Sequence, residues 1–170
     1  MSVIYIELTL IYVSAESHHS LVKASSITGL GLKAVKEIPV NEYLQIDISL
    51  LEKQIKDDIK NNLLPVMIVA TMGTTGAGAI DAINEIAAIA SSYNIWLHAD
   101  AAYGGALVLS DQCKTLLGNI HLADSITFDA HKSMSVPMST SRFITKHTHI
   151  LNKTFRVTTD YMPKEADDLQ

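Results

Sequence analysis

The sequence predicts an α/β fold: a mostly parallel sheet flanked by helices. Three observations carry that expectation. Apolar runs of strand length alternate with segments of helical periodicity, the pattern of repeated βαβ units. Pro65 precedes the continuous run Val66-Met67-Ile68-Val69-Ala70-Thr71, which suits a central parallel strand covered on both faces. Two further apolar runs are each followed closely by a charged side chain, Asp100 after Asn94–Ala99 and Lys132 after Ser125–Phe128. Open α/β sheets hold their ligands at such strand ends.

The elements follow in order. Ile4–Val13 reads as the first strand. His18–Ser26 begins a helix that ends near Gly29 and Gly31, suited to the left-handed turn that closes a helix. Leu32–Ile38 is a short strand stopped by Pro39. Asp47 or Ser49 caps the helix Leu50–Asn62, where Leu51, Ile55 and Ile59 share one face. After the strand Val66–Thr71 comes the loop Gly73-Thr74-Thr75-Gly76-Ala77-Gly78. Asp81 caps the helix Ala82–Ser92, with Ile83, Ile86, Ala87 and Ala90 as its apolar stripe. Asn94–Ala99 is the next strand and Asp111–Leu117 a short helix. Ser125–Phe128 and Arg142–Thr145 are the last strands, and the polar, acidic tail Pro163–Gln170 is expected to fray. No internal repeat, low-complexity tract or interdomain linker interrupts this order.

Composition narrows the function. The 170 residues are 48% hydrophobic and 18% charged, which suits a globular domain with its own core. A net charge of −5 without a basic stripe gives no support for nucleic-acid binding. The single cysteine, Cys113, cannot form an internal disulfide, and a reducing cytoplasm is the natural setting. Val3–Val13 is apolar but short, carries Glu7 and lacks a positive leading segment. A buried strand is therefore expected there rather than a signal peptide or a membrane span. Metal chemistry has no motif: His98 with Asp100, and His147 with His149, lack a cysteine set or a His-Glu-x-x-His helix.

Asp100 lies in Trp96-Leu97-His98-Ala99-Asp100-Ala101-Ala102-Tyr103-Gly104-Gly105. Lys132 lies in Asp124-Ser125-Ile126-Thr127-Phe128-Asp129-Ala130-His131-Lys132. A carboxylate and an amine at two neighbouring strand ends suit a cofactor with a basic ring nitrogen and an aldehyde, and pyridoxal 5'-phosphate is that cofactor. At these residues the chain resembles the group II pyridoxal-phosphate-dependent amino-acid decarboxylases, which include the aromatic amino acid, glutamate, cysteine sulfinate and diaminobutyrate enzymes. The resemblance runs from about Val13 to about Ala166. It implies part of the large domain of a fold-type I enzyme. Members of the family are much longer. The resemblance thus implies a partial cofactor domain over residues 1–170, without the upstream phosphate-binding loop and the small C-terminal domain.

The resemblance also assigns roles. Lys132 would form the Schiff base and move protons; its ordinary alternative is a solvated lysine. Asp100 would pair with the pyridinium nitrogen; its alternative is to cap the next turn through the amides of Ala101 and Ala102. Ala102 would pack against one ring face and His18 would stack on the other, with His19 as the neighbouring candidate. Thr75 and His131 would lie beside the cofactor, although Gly73–Gly78 also reads as a plain strand-to-helix turn. Its glycines do not follow a dinucleotide fingerprint. Asp129 occupies a position where many members carry asparagine or serine toward the phosphate, and an aspartate there is repelled by a dianion unless protonated or turned away. Tyr161 matches the tyrosine of a mobile loop that returns a proton to the substrate α-carbon.

The implied activity is decarboxylation of an amino acid to an amine, by a homodimer or by pairing with a full-length subunit, with no nucleic acid or membrane involved. The run Asp129-Ala130-His131-Lys132-Ser133 leans toward a diaminobutyrate-like substrate. Two other readings remain at this point: a catalytically silent truncated chain, and an aldolase or other lyase on the same scaffold.

Overall fold

The apolar runs pair side by side into one sheet. The computed structural model describes residues 8–156. Its strands are β1 (Thr9–Ser14), β2 (Val35–Ile38), β3 (Leu64–Thr71), β4 (Trp96–Asp100), β5 (Ser125–Asp129) and β6 (Ser141–Thr145). Their spatial order is β2-β1-β3-β4-β5-β6. β1 to β5 are parallel and β6 is antiparallel to β5, so the sheet is mostly parallel, as the sequence predicts. The chain steps from β1 outward to β2, then returns to the other side of β1 for β3. That reversal makes the carboxyl ends of β1 and β3 a switch point, where open sheets leave a crevice.

The helices are α1 (Ser20–Ile27), α2 (Ile48–Lys60), α3 (Ile83–Tyr93), α4 (Ala130–Ser133) and α5 (Ile150–Phe155). α2 and α3 cover one face of the sheet. Leu51 and Ile55 of α2, and Ile83, Ile86, Ile89 and Ala90 of α3, join Tyr12, Ile68, Ala70, Leu97 and Ala99 in one core. Burying a side chain such as Ile55, which is 0% exposed, contributes about 1.5–3 kcal/mol. Along β4 the pleat sends Leu97 and Ala99 into this core. Trp96, His98 and Asp100 therefore lie on the opposite face.

Several elements differ from the sequence reading for local reasons. Leu32–Ala34 is a 3₁₀ turn and only Val35–Ile38 is strand. Asp47 caps α2 by accepting the Leu50 amide at 3.0 Å, and Ser49 supports the cap by donating to Asp47 at 2.6 Å. Ile59 is exposed, whereas Asp58 turns inward to accept a 2.9 Å hydrogen bond from the Tyr12 hydroxyl. Asp81 does not cap α3, which begins after Ala82 without a side-chain cap. Its carboxylate instead accepts the amides of Ile46 and Thr71, both at 2.7 Å. Asn94 belongs to the end of α3 in a left-handed conformation (φ 53°), so β4 starts at Trp96. The helix expected at Asp111–Leu117 is a 3₁₀ turn over Lys114–Leu117. Gly29, just past α1, has φ 82°, the left-handed form expected of a closing glycine.

No described helix is long and apolar enough to cross a membrane.

Candidate functional site

The site grows from the carboxyl ends of four neighbouring strands. Register places Thr71, Asp100 and Thr127 side by side on β3, β4 and β5. One row earlier, His98 lies between Val69 and Ser125. Thr71, His98, Asp100 and Thr127 of these rows face away from α2 and α3 and form the floor of a cleft of about 330 Å³. The loop after β1 contributes His18, the loop after β3 contributes Gly73, Thr74 and Thr75, and the β4 end adds Ala102. Asp129 and Lys132 close the β5 side.

Close backbone packing holds these loops. Gly104 lies so near the end of β3 that a Cβ there would strike the Met72 carbonyl oxygen. Asp81 ties the end of β3 to the segment before α2, and the Asp81 amide donates back to the Thr71 carbonyl at 2.9 Å. The hydroxyls of Ser17 and Thr71 meet at 3.1 Å and join the β1 loop to β3 across the switch point.

Asp100 accepts the Ala102 amide at 3.2 Å. This is the turn-capping contact that the sequence allowed, and the carboxylate still lines the cleft. Lys132 sits in α4, directly after β5, with its Nζ 3.0 Å from an Asp129 carboxylate oxygen. The other Asp129 oxygen accepts the Ser141 hydroxyl at 2.6 Å. Burial alone would push the Asp129 carboxyl upward; the Ser141 hydrogen bond and the Lys132 ammonium together outweigh it and hold the group below the usual carboxylate range. His18 is exposed at the cleft mouth, its Nδ1 2.8 Å from the Ser20 hydroxyl and its ring 4.3 Å from that of His19. His131 is not part of the lining; its Nδ1 faces the Thr140 carbonyl at 3.2 Å. Tyr161 lies outside the described residues.

The cleft also contains residues that motif reading missed: His98, Thr127, Thr71, Thr74 and Tyr103. Strand alternation alone would have found His98, two residues before Asp100 on the same face. His98 is held at both ring nitrogens, by Ser125 Oγ at 2.8 Å from Nδ1 and Thr127 Oγ1 at 3.1 Å from Nε2. The Trp96 indole N–H donates to the same Ser125 oxygen at 2.8 Å. Burial pushes the His98 imidazole below its ordinary pKa, against the nearby Asp100 charge.

A carboxylate, an amine and a small residue at Ala102 converge on one concave surface. That donor set fits a flat ring with a basic nitrogen and an aldehyde. The model of the pyridoxal-dependent decarboxylase conserved domain matches residues 2–170. The chain belongs to the pyridoxal-dependent decarboxylase family. Among relatives, an aromatic-L-amino-acid decarboxylase of Bacillus atrophaeus is 36% identical over 97% of this chain and 34% of its own length. An L-2,4-diaminobutyrate decarboxylase of Acinetobacter baumannii is 40% identical over 78% of this chain and 26% of its own length. The crystal structure of mouse CSAD in apo form superposes with a TM-score of 0.87 at 29% identity, covering 93% of this chain and 33% of that one. This member of the decarboxylase family thus spans 34% and 26% of the lengths of these two curated relatives.

Proposed function

We propose that this chain is the cofactor-binding part of a pyridoxal-phosphate-dependent amino-acid decarboxylase. The observation that carries the proposal is the meeting of Asp100 and Lys132 in one cleft at the carboxyl ends of a parallel sheet. When bound, pyridoxal phosphate supplies an electron sink for the bond broken at the substrate α-carbon. Asp100 would hold the proton on the ring nitrogen, since a carboxylate beside a cation favours its charged form. Ala102 leaves room for a flat ring, and His18 at the mouth would cover the opposite ring face. Lys132 would anchor the aldehyde carbon and afterwards carry protons at its Nζ. Thr75 and Asp129 would border the ring and phosphate, and His131 would brace the segment from behind. Tyr161 would return a proton to the α-carbon.

A small amino acid such as diaminobutyrate is the substrate we propose. It rests on the run Asp129-Ala130-His131-Lys132 and the 40% identity to a diaminobutyrate decarboxylase. A homodimer in the cytoplasm belongs to the same proposal. In its support, Phe143 on β6 and Phe155 on α5 are 52% and 72% exposed, the kind of apolar surface a partner covers.

Mixing the purified chain with pyridoxal phosphate, reducing with borohydride and mapping the peptides tests the assignment. A visible band that reduction bleaches, with the label on Lys132, is expected. A label on another lysine, or no band, overturns it.

A further inference from the structure

We propose that His98 is a positioning residue: its ring, oriented from Trp96 through Ser125, sets the Thr127 hydroxyl as a hydrogen-bond donor into the cleft beside Asp100. The polarity of this chain of hydrogen bonds follows from its first member. An indole N–H only donates, so the Ser125 oxygen accepts from Trp96 at 2.8 Å. Ser125 is 2% exposed, and His98 Nδ1, at 2.8 Å, is the other partner of its hydroxyl. If Nδ1 carried a proton, it too would donate to Ser125. The serine would then face two donors and its own proton would have no acceptor among the described residues. Leaving a buried hydroxyl proton unpaired is costly. Ser125 therefore donates to Nδ1.

A neutral ring that accepts at Nδ1 carries its proton on Nε2. That proton goes to Thr127 Oγ1 at 3.1 Å. The threonine oxygen is thus an acceptor from below, and its own proton is left for the cleft, which Thr127 lines. The register puts Asp100 directly beside it. Phe143 of β6, with ring centroids 6.2 Å apart and planes 13° from parallel, covers the His98 ring. Burial, which lowers the imidazole pKa against the Asp100 charge, favours the same neutral ring. The charged and titratable groups on the surrounding elements include Asp100 on β4, the Asp129–Lys132 pair at the end of β5, Arg142 on β6, His18 at the cleft mouth, and Asp124 with Lys146 and His147 beyond Trp96.

The consequence for the cofactor rests on the function proposed above. A hydroxyl donor beside the carboxylate that holds the ring nitrogen fixes the edge at which an acceptor on the ring docks. Nitrogen NMR of the ligand-free chain tests the relay directly. His98 is expected as the neutral form protonated on Nε2, taking up a second proton only at lower pH than an ordinary histidine does. Ser125→Ala is expected to release that tautomer preference. In pyridoxal phosphate titrations followed by absorbance, Thr127→Val is expected to weaken binding roughly threefold to tenfold, one lost hydrogen bond. Thr127→Ser, which keeps the hydroxyl, is expected to restore it. A proton on Nδ1 of the neutral ring, a ring that charges no lower in pH than an ordinary histidine, or Thr127→Val binding like wild type overturns the inference. Failure of the wild-type chain to bind the cofactor overturns the proposed function instead, and the tautomer then decides the relay on its own.

Discussion

The Asp129 carboxylate lies 3.0 Å from Lys132 Nζ, so the amine of the cleft rests in an ion pair with a group from its own strand end. Ser141 on β6 holds the other carboxylate oxygen at 2.6 Å, which keeps Asp129 aimed at the lysine. Any ligand that takes the amine must first part this pair.

From that arrangement, Asp129→Asn is expected to tighten pyridoxal phosphate binding. The amide keeps an oxygen for Ser141 but no longer repels a phosphate dianion or holds the ammonium. A gain of several-fold in affinity is expected at low salt, shrinking as salt screens the repulsion. Titration by absorbance at two ionic strengths reads it, and a weaker complex would show that Asp129 assists the phosphate. Because the carboxyl is held below its usual range, the pair persists at neutral pH and is lost only as pH falls through that lowered value.

Asp100 has two roles that separate under substitution. Its carboxylate accepts the Ala102 amide at 3.2 Å, and an asparagine can do the same. Asp100→Asn is therefore expected to leave the melting temperature close to wild type. Loss of the charge that holds the ring-nitrogen proton is expected to weaken cofactor binding roughly tenfold to a hundredfold, the size of a charged hydrogen bond. If both quantities stay unchanged, the carboxylate serves only the turn.

Asp100 and Lys132 are legible in the sequence because each follows one apolar run inside one short segment. Ala102, His18, Thr75 and Asp129 come with their motifs in the same way. His98 and Thr127 become neighbours only through the pairing of β4 with β5, and no single segment contains that register. The strand and helix order is readable from periodicity, yet the inward turn of Asp58 in place of Ile59 is not. It depends on Tyr12, which is 46 residues distant, needing an acceptor in the core. Asp81 misleads for a related reason: an aspartate before a helix is the usual cap, but two distant amides claim it here.

Asp81→Asn is expected to cost about 1–3 kcal/mol, measured by urea unfolding, because one amide donor must then face the N–H of Ile46 or Thr71. The pH dependence has a definite sign. Burial raises the Asp81 carboxyl above its ordinary value, against the hydrogen bonds from Ile46 and Thr71. A raised carboxyl contributes stability below its unfolded value and loses it as pH rises through the folded one. The asparagine variant is expected to lack that slope. An identical pH profile in both proteins would remove Asp81 as its source.

Among the described residues, Tyr12 and Asp58 form the one buried hydroxyl–carboxylate contact, at 2.9 Å. Tyr12 is 0% exposed and Asp58 4%. Tyr12→Phe keeps the ring packed but strips the carboxylate of its donor, and a buried carboxylate without a partner is costly. A loss of about 1–3 kcal/mol in urea unfolding is expected. Pairing it with Asp58→Leu is expected to recover part of the loss, because removing both polar partners leaves nothing unsatisfied. Burial first, and Asp58 second, push the tyrosine hydroxyl above its ordinary pKa. The raised value means its contribution holds below about pH 10 and fades as pH rises beyond that, where only the unfolded chain ionises. Alkaline unfolding is therefore expected to begin at lower denaturant in wild type than at neutral pH, and Tyr12→Phe is expected to lack that part of the decline. Equal alkaline sensitivity in the two proteins would place its origin elsewhere.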